Sequence, residues 1–168
     1  MIKKKICMLG SFAVGKTSLV QRFVNSIFSE KYHTTIGVKI DQKRLELDGE
    51  QVNLMLWDIH GEDEFQKVKP AYVMGASGYF IVLDGTRRNT IKKGLALQQM
   101  VQQTIGNVPY LILVNKSDLR NQWEIQEEDL DVLRRSGAGV LLTSAKTGET
   151  VEEAFMDLAR QMLKNNRS

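Results

Sequence analysis

The stretch Gly10-Ser11-Phe12-Ala13-Val14-Gly15-Lys16-Thr17 constrains this chain more than any other: a glycine, four free positions, then Gly-Lys-Thr. It follows the apolar run Ile6-Cys7-Met8-Leu9 and precedes Leu19, Val20, Phe23 and Val24 at helical spacing. The expected order is therefore strand, loop, helix. Gly10 and Gly15 allow successive backbone N–H groups to turn inward around an anion, and the positive end of the next helix adds to that attraction. Lys16 brings a mobile charge suited to β- and γ-phosphates, and Thr17 a hydroxyl suited to Mg²⁺. A polyphosphate site is the expectation.

Length bears on how much else the chain holds. With 168 residues and one cysteine, it is long enough to bury a core as a single domain without disulfides. Cys7 lies inside the first apolar run and is expected to be a buried, inert thiol. The net charge of +3 comes from scattered Lys and Arg apart from Lys3-Lys4-Lys5, read as a solvated edge rather than a nucleic-acid patch. The apolar runs 79–83 and 110–114 are too short to cross a bilayer, and no apolar signal segment opens the chain. Position 2 is not Gly and no Cys lies near Ser168, so no lipid anchor is expected, and the expected location is the cytoplasm.

Periodicity then gives the architecture. Strand 1 is expected over about 2–9 and a helix over Lys16–Asn25, followed by a polar loop from Ser26 to Gly37. Runs 38–47 and 51–57 flank Asp48-Gly49-Glu50, a hairpin signal. Val38 and Ile40 have one parity, Leu45 and Leu47 the other; a bulge or a solvent-facing edge near Gln42 to Arg44 would reconcile them. Segment 59–69 is unpatterned and ends at Pro70, which suits a short helix. Strands 79–84 and 110–115 then enclose a helix bearing Leu97, Met100, Val101 and Thr104. A helix carrying Leu130 and Leu133 ends near Gly137, strand 140–142 follows, and a last helix presents Val151, Ala154, Phe155, Leu158 and Met162, with Thr150 as its N-cap. These alternations predict an α/β fold: a mostly parallel six-stranded sheet with one antiparallel edge strand and about five helices. Ligands in such sheets bind beyond the carboxyl ends of the strands.

Two later motifs fall at strand ends. Asn115-Lys116-Ser117-Asp118 follows one buried strand, and Thr143-Ser144-Ala145-Lys146 follows the last. The Asp118 carboxylate can accept two hydrogen bonds from the ring N–H and exocyclic amine of guanine, whereas adenine offers no such pair. Lys116 would lay its stem over the base, Asn115 would tie the loops together, and the Ala145 N–H would reach the base carbonyl.

With these motifs in order, the chain resembles a Ras-superfamily small GTPase of the Rab-like branch over essentially its full length. Tyr32 to Val38 and Leu56 to Phe65 agree with it, as does Phe28, which matches the family's aromatic against the base edge. The resemblance implies one small G domain, a P-loop NTPase fold over 1–168, that binds GTP and GDP with Mg²⁺ and hydrolyses GTP as a molecular switch. It implies nucleotide contacts from Ala13, Val14, Gly15, Lys16, Thr17, Ser18, Phe28, Tyr32, Thr35, Gly61, Asn115, Lys116, Asp118, Ser144, Ala145 and Lys146. Metal contacts would come from Thr17, Thr35 and Asp58. Lys16, Gly61 and Glu62 would serve catalysis, with Gly61 giving its N–H to the γ-phosphate. Segments 26–37 and 59–69 would switch on loss of that phosphate and be read by effector, exchange and activating proteins.

The chain departs from the family at two places. Where the family usually has Asp-Thr-Ala-Gly-Gln, this chain has Asp58-Ile59-His60-Gly61-Glu62. Glu62 can accept a proton from water but has no amide N–H to donate, and its charge opposes the γ-phosphate, so it either points outward or has a raised pKa. Phe12 replaces a small residue near that phosphate, where it either crowds the attacking water or packs against a switch segment. Together they predict slow hydrolysis. The alternative is a nucleotide-gated binding module or scaffold with little turnover. Asp118 and the absence of a recognisable lid disfavour an ATP-using P-loop kinase.

Overall fold

The computed structural model describes residues 1–25, 37–59 and 68–166. Among them are six strands and four α-helices: β1 (Ile2–Gly10), α1 (Lys16–Asn25), β2 (Val38–Leu47), β3 (Glu50–Ile59), β4 (Gly78–Asp84), α2 (Asn89–Ile105), β5 (Tyr110–Asn115), α3 (Glu127–Arg135), β6 (Gly139–Thr143) and α4 (Val151–Asn166). Short 3-10 helices occupy Pro70–Val73 and Ser117–Gln122.

The strands form one sheet in the order β2-β3-β1-β4-β5-β6, parallel except for the β2–β3 hairpin. The hairpin turns on Asp48 and Gly49, both at positive φ (51° and 82°), the turn that suits the right-handed twist of the flanking strands. Its ladder runs in constant register from Val38 opposite Ile59 to Leu47 opposite Glu50, so there is no bulge. The parity change is resolved by the edge position instead. Val38 packs on one face of the sheet, Leu45 and Leu47 on the other, and Ile40 is exposed.

Side-chain alternation along β1 divides the core. Ile6 and Met8 join the layer under α1 and α4, and Cys7 and Leu9 join the layer under α2 and α3. The first layer is fastened by Phe155, whose ring stacks on Phe23 at 4.2 Å and meets Phe80 edge-on at 4.8 Å. Burial pushes the Cys7 thiol up to about 12, so it remains protonated and inert as expected.

Two local expectations are corrected. The lysine run does not lie on a solvated edge, because β1 is central, flanked by β3 and β4. Lys4 is buried, and the Lys5 ammonium sits 3.5 Å from the Trp57 ring centroid and donates to the Met74 carbonyl. Thr150 precedes α4 at a left-handed φ of 62° rather than in the extended conformation of an N-cap, and its carbonyl accepts the Ala154 N–H.

Since β1 lies between β3 and β4, the chain runs from β1 out to the edge strand β2, returns inward through β3, and then crosses to the other side of β1 through β4. That reversal opens a crevice at the carboxyl end of β1, where the phosphate-loop motif begins.

Candidate functional site

Gly10 ends β1 where its backbone meets β4. A Cβ there would lie 2.4 Å from the Val82 carbonyl oxygen, so a side chain would push the strands apart. The loop then turns through Ala13 at φ 62° and Gly15 at φ 107° into α1. A Cβ on Gly15 would fall 2.2 Å from Asn115 Nδ2. The glycine therefore makes room for the second motif as well as for an anion, a packing reason that the sequence pattern does not disclose.

Lys16 folds back over the loop. Its Nζ donates to the carbonyls of Gly10 (3.1 Å) and Ser11 (3.2 Å). Burial lowers its pKa to about 8; Asp58 opposes the shift and the Arg87 charge adds to it. A buried ammonium resting on two neutral carbonyls is undercompensated and suited to an anion. Thr17 donates its hydroxyl to Asp58 Oδ2 from the end of β3. Burial raises the Asp58 pKa, while the Thr17 hydrogen bond and the Lys16 charge pull it down.

That hydroxyl and carboxylate are the hard-oxygen donors Mg²⁺ prefers, and two protein ligands are what a Mg²⁺ sharing substrate phosphates requires. No cluster of three or more His, Cys, Asp or Glu able to hold a metal occurs among the described residues. The Thr17 hydroxyl and the Asp58 carboxylate would leave the other positions around such a cation to phosphate oxygens and water. Thr35, the third metal candidate, lies outside the described residues, as do Phe28, Tyr32, His60, Gly61 and Glu62.

At the carboxyl end of β5, Asn115 joins three segments, as its position in the motif suggested. Its Nδ2 donates to the Val14 carbonyl at 3.0 Å, and its Oδ1 accepts from Thr143 Oγ1 at 3.1 Å and the Ala145 N–H at 3.3 Å. The Ala145 N–H is thus shared with Asn115, and a base carbonyl would have to bifurcate or displace that long contact. Asp118 Oδ1 accepts from the Ser144 hydroxyl at 2.7 Å, which couples the two late motifs. Arg22 on α1 clamps the last loop, with Nε on the Ala145 carbonyl at 2.8 Å and Nη2 on the Lys146 carbonyl. Lys146 itself is exposed, and Ser18 is half-buried in the first turn of α1.

Several contributors were not singled out from sequence. Asp84, buried at the end of β4, accepts Lys116 Nζ at 2.8 Å and Arg87 Nε at 3.0 Å. Burial alone would raise its pKa, but hydrogen bonds from Lys116 and Thr86 hold it below the usual value. The Trp123 indole lies against Gly85 and donates to the Lys116 carbonyl at 2.8 Å, bracing a lysine at left-handed φ (75°). Asp84 carried the same signal as Asp58, an acid closing a buried strand, and could have been found by it.

A loop of amides and a buried lysine at the switch point of a mostly parallel sheet, facing a strand-end aspartate, defines a P-loop nucleotide-binding domain. Comparison with known proteins narrows this. The family model described as "Ras family" matches residues 5–164. The Ras-related protein Rab-21 of Geodia cydonium is 34% identical over 167 residues, covering 98% of this chain and 73% of that protein. The chain belongs to the Ras family, as a Rab-like small GTPase and GTP-binding switch protein. Guanine nucleotide and regulatory and effector proteins are accordingly its partners in general terms. Among the described residues, no helix is long and apolar enough to cross a membrane.

Proposed function

We propose that this chain is one G domain over 1–168 that cycles between GTP and GDP with Mg²⁺, hydrolyses GTP slowly, and signals its state through segments 26–37 and 59–69. The observation that carries the reading is the hydroxyl-to-carboxylate pair of Thr17 and Asp58 beside the buried Lys16 ammonium, a cation seat next to an anion seat. Thr17 and Asp58 would hold Mg²⁺ with Thr35, and the bound metal would offset phosphate charge. The amides of Ala13, Val14, Gly15 and Lys16 would cradle the phosphates, and Lys16 would steady charge developing on them. Asp118, Asn115 and Ala145 would select guanine, with Phe28, Lys116, Ser144 and Lys146 supporting the base.

Slow turnover rests on Phe12 and Glu62. Phe12 stands in the phosphate loop and is 40% exposed, and a ring at that position would crowd the attacking water and an incoming activating group. Single-turnover GTP hydrolysis by the wild type and by F12G/E62Q tests this. The double variant is expected to be faster, and an equal or faster wild type refutes slow turnover. The same exposed ring favours a second reading, a nucleotide-gated binding module with little turnover. GTP found intact on the purified protein after prolonged incubation would select it.

A further inference from the structure

The β4–α2 turn places a guanidinium against the phosphate loop. Arg87 Nη2 donates to the Phe12 carbonyl at 2.6 Å while its Nε is held on Asp84 at 3.0 Å. Asp84 is fixed in turn by the Thr86 N–H at 2.9 Å, the Thr86 hydroxyl at 2.7 Å and Lys116 Nζ at 2.8 Å. The planar guanidinium fork is thus anchored at one end on a buried carboxylate and presents its other end to a single loop carbonyl.

A trans peptide points its C=O and N–H in opposite directions, and the chain contains no cis peptide among the described residues. Pinning the Phe12 carbonyl toward Arg87 therefore turns the Ala13 N–H away from Arg87. The next residue needs such support, because Ala13 holds φ 62°, a left-handed conformation that is unfavourable for a residue with a Cβ. Arg87 also makes itself felt electrostatically at Lys16.

We propose that Arg87 is a positioning residue for nucleotide binding: by holding the Phe12 carbonyl against the Asp84 anchor, it aims the Ala13 N–H at the phosphate chain. The inference rests on the guanine-nucleotide reading above. It joins the base-binding lysine to the phosphate loop through one carboxylate, along the path Lys116, Asp84, Arg87, Phe12.

The test compares GDP and GMP affinities, by competition against a fluorescent GDP, in the wild type, R87A and R87K. Arg87 stands in a half-exposed turn, so folding should survive, and the melting temperature of each variant checks this. If Arg87 aims an amide at the phosphate chain, R87A weakens GDP about tenfold and GMP by less than about threefold. R87K falls between, since one ammonium keeps the charge but cannot span both acceptors. GDP affinity within about twofold of wild type in R87A would overturn the proposal. So would equal losses for GDP and GMP, the pattern of a residue that only packs the turn. A wild type that binds neither nucleotide would overturn the switch reading itself.

Discussion

Truncation of Asn115 to alanine removes one side chain and strands three partners in different parts of the chain. The Val14 carbonyl loses its donor at 3.0 Å, and the Thr143 hydroxyl and Ala145 N–H lose their shared acceptor at 3.1 and 3.3 Å. The hydroxyl can rotate to another acceptor, so two buried backbone groups carry the penalty, at about 1–3 kcal/mol each. Taking about 1.5 kcal/mol for each places the sum near 3 kcal/mol. For a chain of this length each kcal/mol shifts the melting temperature by about 2–4 °C, so N115A should melt about 6–12 °C below wild type. The isosteric N115D keeps both accepted bonds but turns a donor into an anion facing the Val14 carbonyl. It should therefore lose nucleotide more rapidly than its melting temperature alone would suggest. Thermal unfolding by circular dichroism, with GDP release followed in parallel, reads both effects. A melting point for N115A within about 2 °C of wild type would refute the claim that this residue fastens the loops together.

Other consequences can be checked separately. The free-protein Lys16 pKa of about 8 lies below its ordinary 10.5, so the unfolded chain binds more protons between those values and stability should rise with pH across that window. A bound phosphate favours the charged ammonium, so GDP binding near pH 8.5 should take up most of a proton, and near pH 7 almost none. Titration calorimetry in two buffers of different ionisation heat would detect this, and identical heats at pH 8.5 would contradict it. Phe23→Ala removes a ring stacked at 4.2 Å on Phe155 from a nearly sealed layer and should cost about 3–5 kcal/mol in urea unfolding; a loss under about 1 kcal/mol would mean that the layer closes over the gap.

The sequence made visible whatever depends on local order. The bounds of α1, the hairpin at Asp48-Gly49 and the uninterrupted apolar strands β4 and β5 follow from turn chemistry and periodicity, and Asn115 was legible as a tie because its motif follows a strand end. Features set by the crossover from β3 to β4 were not legible. Which strand becomes central decides that Lys4 is buried and that Lys5 finds Trp57, and nothing near residues 3–5 encodes it. The union of Arg87 with Phe12 likewise needs β1 and β4 side by side, and the second role of Gly15 needs β5 nearby. Thr150 was misread because a threonine before a helix suits an extended cap, while the 148–151 turn imposes a left-handed residue.

The amide of Asn115 occupies the volume that a methyl group on Gly15 would need. In an unbiased mutational library, replacements at these two sites should consequently not behave independently. A larger residue at 15 has a chance of survival only alongside a shrunken one at 115, and shrinking 115 removes the brace on which the loop depends. The pair is locked from both sides, so diversification of this domain has to proceed at other positions.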